Sequence, residues 1–460
     1  MPDKQRLAAA LDRRFFAPLR RPRMRRVGVE LEFPVWNRIP GAPTNFTAVH
    51  AATADFLARF HFPDTAHDDS GALYRAHDPK TDDELSFDCS YNNFEIALGR
   101  VRTLHEAQAR FRDYVSFINA ELYQNQHTLT GLGVNPNYLI NDFNFVPSPR
   151  YRMLAGYLKK AEVWRSISPA GSDFHPYYGF GTFSSASQVQ LDVNEENVCQ
   201  AIEAFSLVEP LKAVLFANST LPELPELLCV RDYFWERSAH GINPRNVGFF
   251  KPFPKSIGEI TDYLSKASIF CAERDGKYLF FYPIPFDEYL NRDRIEGEYY
   301  DGAYHPFRFS PEAEDVAYLR TYKQIDLTAR GTLEFRSACT QPLHQAMTVA
   351  AFHLGLMNRI EALTELLSRS FLYREGGDPD LLRRKMNRVD FLSAVEPEAL
   401  KVLLLNVLTL CAEGLRDRGY AEELYLEPLF ERAKTLTSPS LRLLRHGGDL
   451  DSVIREYAAL

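Results

Sequence analysis

Three stretches far apart in the chain carry side chains that could share one piece of chemistry. In Val27-Gly28-Val29-Glu30-Leu31-Glu32-Phe33, strand alternation puts Val29, Leu31 and Phe33 on one face and the carboxylates of Glu30 and Glu32 on the other. The run 187–192 sets Gln188 and Gln190 against Val189 and Leu191, and the run 332–337 sets Glu334 and Arg336 against Leu333 and Phe335. Glu95 sits between Phe94 and Ile96 and obeys the same rule, with Asp88 just ahead of an Asn92-Asn93 turn. Strands with an apolar face and a polar face of this kind imply one sheet lining one pocket.

Carboxylates gathered at close quarters raise one another's pKa unless cations neutralise them. Magnesium suits such a hard oxygen set and shares its shell readily with phosphates and water. No histidine or cysteine cluster argues for zinc. Glu30, Glu32, Asp88, Glu95, Gln188 and Glu334 are therefore the expected metal ligands, Glu32 and Arg336 the expected catalytic residues, Gln188 and Arg336 the expected nucleotide contacts, and Gln190 an expected substrate contact. Arg336, next to Glu334, could reach a phosphate held by the same metal, which together suits phosphoryl transfer. No G-x-x-x-x-G-K-[ST] loop is present, so a nucleotide would not be held by a P-loop. A two-metal nuclease would use a similar acid cluster, and spacing alone leaves that open. Arg231, Trp235 and Arg245 lie in a segment rich in aromatics and arginines. Guanidinium groups there could fork onto a carboxylate or phosphate, or equally make surface salt bridges.

The elements that must position these groups follow from periodicity. Residues 3–16 read as a helix stopped by Pro18 and Pro22, 47–60 as a helix capped by Thr47, and 63–84 as a hairpin or loop. Leu104, Ala107, Phe111, Val115, Ile118 and Leu122 mark an amphipathic helix capped by Thr103, expected to pack on the back of the sheet. Residues 131–136 read as a strand ending in a turn, 151–160 and 194–217 as helices. Beyond Leu343 the pattern is helical over 346–370, 397–418 and 422–435. The expected organisation is a catalytic body over 1–342 with a helical C-terminal lobe over 343–460 packed on it.

The 460 residues supply ample core for this, and a formal net charge of -8 gives no support for a nucleic-acid binder. Six cysteines without C-x-x-C spacing are expected to be reduced thiols in a cytoplasmic protein, Cys89 and Cys339 being buried structural thiols near the site. No apolar run reaches the roughly 18 to 20 residues that span a bilayer, and residues 7–11 are too short an apolar patch for a secretory leader. The arginines between Arg13 and Arg26 run straight into the first strand and read as a folded entry segment rather than a targeting peptide or an anion-binding arm.

Taken together and in order, these stretches resemble the glutamate–cysteine ligase (γ-glutamylcysteine synthetase) family, most of all the type found in plants and some bacteria. The resemblance is carried by 27–33, Asn93-Phe-Glu-Ile-Ala with Thr103-Leu-His-Glu106, Leu132-Gly-Val-Asn-Pro136, Gln188-Val-Gln-Leu-Asp192 with the run 207–218, Arg231 through Trp235, and Leu333-Glu-Phe-Arg336. It implies an α+β fold in which a curved, funnel-like antiparallel sheet of the glutamine-synthetase kind is flanked by helices. It implies ATP as cosubstrate, two or three Mg²⁺ ions, and phosphorylation of the γ-carboxylate of glutamate followed by attack of the cysteine amine. By position, Glu30, Glu32, Glu95 and Glu334 match metal-binding glutamates, Gln188 a polar site position, Arg336 the nucleotide-phosphate arginine, and Arg231 the arginine and tryptophan segment. The chain departs from the family at Asp88-Cys-Ser-Tyr-Asn-Asn, where plant members have Glu-Pro-Gly-Gly-Gln, and at Ser337-Ala-Cys, where they have Gly-Ala-Asp. A different amine or acid substrate, or a silent nucleotide or amino-acid sensor, therefore stays open. The expected partners are ATP and amino acids, with neither nucleic acid nor membrane, in a monomer or homodimer.

Overall fold

The computed structural model describes residues 2–22, 26–167, 174–445 and 449–460. Its strands are β1 (Val27–Asn37), β2 (Asp64–His67), β3 (Leu73–Asp78), β4 (Asp83–Phe87), β5 (Asn93–Val101), β6 (His127–Leu129), β7 (Ser187–Asp192), β8 (Val247–Gly248), β9 (Ser268–Arg274), β10 (Lys277–Pro285), β11 (Ile295–Tyr300), β12 (Tyr304–Phe309), β13 (Tyr322–Lys323), β14 (Ile325–Leu327) and β15 (Thr332–Phe335). The main sheet has nine strands in the order β14-β15-β7-β1-β5-β4-β3-β2, with β6 on the far end of β1. Its pairings are antiparallel throughout. The protein is thus an α+β fold of antiparallel sheets and helices.

The three polar-faced stretches are neighbours. β1 lies between β7 and β5, with Glu30 opposite Gln188 and Glu32 opposite Glu95. β15 pairs with β7 so that Glu334 faces Gln190. The opposite face of the same strands is apolar and buried, and three helices cover it. Phe33 meets Phe111 of the Leu104–Gln124 helix at 5.7 Å between ring centroids. Phe335 lies against Phe205 of the Val198–Phe216 helix (4.5 Å) and His353 of the Thr348–Met357 helix (4.3 Å). One cluster of buried apolar side chains runs from the sheet through these helices to Leu404 and Val407 of the Pro397–Arg416 helix. Every element after Leu343 is helical among the described residues. Among the described residues no helix is long and apolar enough to cross a membrane.

A second, four-stranded sheet of order β12-β11-β10-β9 is absent from the sequence reading. Prolines 283, 285 and 306 disguise its strands, although Asp275-Gly276, both at positive φ, is the turn a tight hairpin demands. Against this sheet packs the Pro149–Lys159 helix, with Tyr157 stacked on Phe270 at 4.4 Å. Three local expectations are corrected. Asn45 caps the Phe46–Arg59 helix in place of Thr47, because its side chain accepts from the amides of Thr47 and Ala48. Residues 131–136 form no strand; Gly133 instead lies so close to Asn218 that a Cβ would stand 2.8 Å from its carbonyl oxygen. The helix expected over 346–370 breaks after Met357, and a second begins at Ile360.

His353 offers a test of the packing on the sheet's apolar face. It is fully buried, its Nδ1 bonds the carbonyl of Val349 at 2.7 Å, and burial, then the Lys212 charge, hold its pKa well below the usual histidine range. A depressed histidine contributes stability that is fully present above its unfolded pKa near 6.5 and is lost as pH falls through it. His353→Phe should therefore stabilise the protein more at pH 5 than at pH 8, by an additional ~2 kcal/mol in urea unfolding. A gain that does not grow toward acid pH would show that the imidazole is not held neutral.

Candidate active site

The polar face of the sheet is the floor of a cavity of about 750 Å³. Glu30, Glu32, Ser86, Asp88, Glu95, Gln188, Asp326, Glu334 and Arg336 line it from six adjacent strands and their ends. Strand alternation places each of them there, since every neighbour in sequence points into the core. Glu30, Glu32 and Glu95 each offer a carboxylate oxygen within 4.8 Å of the others. Gln188 bridges two of them, its Nε2 donating to Glu30 Oε1 at 2.8 Å and to Glu32 Oε1 at 2.7 Å. The second oxygen of Glu32 accepts from the amide of Ala186 at 2.8 Å. Glu334 accepts from Gln190 Nε2 at 2.8 Å and pairs with Arg336.

The electrostatics are those of a site short of positive charge on its floor. Burial, then Glu334 and Glu32, push the Glu30 carboxyl up to about 8, and burial, then Asp88, push Glu32 up to about 7. Glu95 rises well above the carboxylate range and Asp88 is raised, burial coming first in both. The Oε1 of Gln188 is buried with no hydrogen-bond partner. A set of hard oxygens, three of them mutually close and one orphaned, fits divalent magnesium far better than zinc. ATP-sized volume beside it and arginines around the rim fit a polyphosphate.

The remaining expected residues stand differently. Gln190 is turned beneath the cavity, where Arg330 and Thr332 both donate to its Oε1 at 3.2 Å. Arg231 and Trp235 line a separate cleft of about 20 Å³ that shares Tyr322 and Arg336 with the main cavity. Arg231 gives Nη1 to the carbonyls of Arg336 (3.4 Å) and Ala338 (3.3 Å) while its Nε is buried without a hydrogen-bond partner, and Trp235 stacks on Tyr322 at 4.7 Å. In this conformation the cleft has no room for an amino acid. Arg245 lies outside both cavities, its guanidinium over the ring of Tyr263 at 4.8 Å. Cys89 and Cys339 are buried free thiols.

Several lining residues escaped the sequence reading. Asp326 lies opposite Glu334 and between Ile325 and Leu327, the same apolar-acid-apolar pattern in a strand of three residues. Arg150 and Tyr151 come from the first turn of the Pro149–Lys159 helix, and Tyr278 from the second sheet. Arg14, Arg320 and Arg330 complete a basic wall.

No protein-family model matches the chain. Among characterised proteins it is similar to the chloroplastic glutamate–cysteine ligase of Solanum lycopersicum, 24% identical over 378 residues that cover 79% of this chain and 66% of the tomato enzyme. The chloroplastic glutamate–cysteine ligase of Arabidopsis thaliana is likewise 24% identical over 381 residues, covering 79% of this chain and 67% of that enzyme. About a third of each relative's length lies outside the match, and the kinship is distant. Of solved structures, glutamate–cysteine ligase from Francisella tularensis in complex with AMP aligns with a TM-score of 0.49 at 10% identity, covering 96% of this chain and 89% of that one. A bifunctional glutathione synthetase from Pasteurella multocida aligns with a TM-score of 0.40 at 13% identity, covering 99% and 53%. Scores below 0.5 establish no common fold.

Proposed function

We propose that this distant relative of the glutamate–cysteine ligases is an ATP- and Mg²⁺-dependent carboxylate–amine ligase, with glutamate and cysteine as the leading substrate pair. The observation that carries this is the meeting of Glu30, Glu32 and Glu95, with Gln188, Glu334 and Arg336, on one wall of one cavity. Glu30, Glu32, Glu95 and Glu334 would hold the magnesium, with Asp88 at the margin. Bound there, magnesium supplies charge neutralisation for the phosphates of ATP.

The chain's own residues do the rest. Arg336, half-buried against Glu334 and fixed by its backbone bond to the carbonyl of Gln324 at 3.0 Å, stabilises charge as it spreads over the transferring phosphoryl group. The substrate carboxylate oxygen bonds to the γ-phosphorus and ADP leaves. The amine nitrogen then bonds to the acyl carbon, phosphate leaves with the activating oxygen, and the amine loses a proton. Holding acyl phosphate and amine side by side supplies much of the second step. No enzyme nucleophile is required. The deciding measurement is ADP release with Mg²⁺ and each amino acid alone and in pairs. Turnover that needs one acid and one amine supports the proposal, and ATP binding without ADP from any pair refutes it.

A further inference from the structure

The acid floor of the cavity faces a wall whose arginines lack the acids that would ordinarily occupy them. Arg75 pairs with Glu84, and Arg336 with Glu334. Arg14, Arg150 and Arg320 line the same cavity and take part in none of the ion pairs found among the described residues; Arg14 and Arg150 lie by the rings of Phe15 and Tyr151. Arg14 is the most constrained. It sits on a π-helical turn, Asp12–Phe16, whose next two residues, Phe15 and Phe16, are anchored in the core at 5% and 2% exposure. Its Nε is buried without a hydrogen-bond partner. The loss of solvent, then the like charge of Arg320, act against its protonated form, and Asp326 opposes them. π-Helical turns are rare and recur at functional sites. Two guanidinium groups lining one cavity repel each other until an anion lies between them, and a guanidinium fork suits both carboxylate and phosphate.

We propose that Arg14 and Arg320 form an anion subsite at the edge-strand side of the cavity, which takes a phosphate of the nucleotide or the carboxylate of an amino-acid substrate. The assignment of the anion to a substrate rests on the ligase reading; the subsite itself does not. The entry segment would then complete the active site as well as lead into the first strand. Wild-type protein, Arg14→Gln and Arg320→Gln are titrated calorimetrically with inorganic tripolyphosphate and with glutarate, folding being checked by circular dichroism. Arg320 is exposed, so its substitution keeps the test readable should Arg14→Gln fail to fold.

At least one of the two anions should bind wild type and bind each variant about tenfold or more weakly, with Arg14→Lys recovering part of the loss because it restores charge without the fork. Loss confined to tripolyphosphate assigns the subsite to the nucleotide, and loss confined to glutarate assigns it to the amino acid. Equal affinity in wild type and both variants, or no binding to wild type, overturns the proposal. A wild type that binds tripolyphosphate through Arg14 yet releases no ADP with any amino acid would sink the ligase reading and leave the subsite standing.

Discussion

Glu32→Gln should lower ATP turnover by about 10²–10³-fold while leaving the thermal midpoint within a few degrees of wild type. Both oxygens of Glu32 are engaged, one by the Ala186 amide at 2.8 Å and the other by Gln188 Nε2 at 2.7 Å. Glutamine fills the same space but removes the charge, and it presents an amide donor to one of two groups that are themselves donors. The cavity would lose one of its three mutually close carboxylates, and Gln188 one of its two acceptors. The apolar face of β1 is untouched, with Leu31 and Phe33 1% and 0% exposed, so folding should survive. ADP release at saturating Mg²⁺, read beside a melting curve, separates these effects. Unchanged turnover would remove Glu32 from the chemistry, and a large fall in melting temperature would assign it to the fold.

The floor of the site was legible because a strand that is half core and half cavity must alternate, and β1, β5, β7 and β15 do. Their adjacency could not be read from spacing, since about 150 residues separate Glu32 from Gln188 and as many again separate Gln188 from Glu334. It was inferred from the shared pattern, and the pairing of Glu30 with Gln188 and of Glu334 with Gln190 bears that inference out. The rest of the lining was not legible. Asp326 lies in a strand too short to show a period, and the π-helical turn that aims Arg14 inward leaves no mark on a pattern of 3.6 residues. Arg150 reaches the cavity only because the second sheet holds its helix there. Arg231 and Trp235, chosen for their chemistry, are drawn off into a small cleft by backbone carbonyls and by Tyr322.

The largest stability effect is expected from Arg383, whose position gave no sign in the sequence. It is 2% exposed and ties the Pro379–Met386 helix to two others. It donates to Asp232 at 2.8 and 3.0 Å, to Glu209 Oε2 at 2.9 Å and to the carbonyls of Glu209 (3.0 Å) and Ser337 (3.4 Å). Lys212 adds a second buried cation on Glu209 at 2.6 Å. Arg383→Met would leave the buried Glu209 with Lys212 as its one cation and the half-buried Asp232 without its arginine, and stranding charge in this way costs about 3–5 kcal/mol. The site should suffer too, because Asp232 adjoins Arg231 and Ser337 follows Arg336. If uncompensated charge is the cause, adding Asp232→Asn to Arg383→Met should recover much of the loss in urea unfolding, since Glu209 keeps its pair with Lys212 and no carboxylate is left without a cation. A double variant as unstable as the single one would instead assign the role of Arg383 to packing and shape rather than to charge.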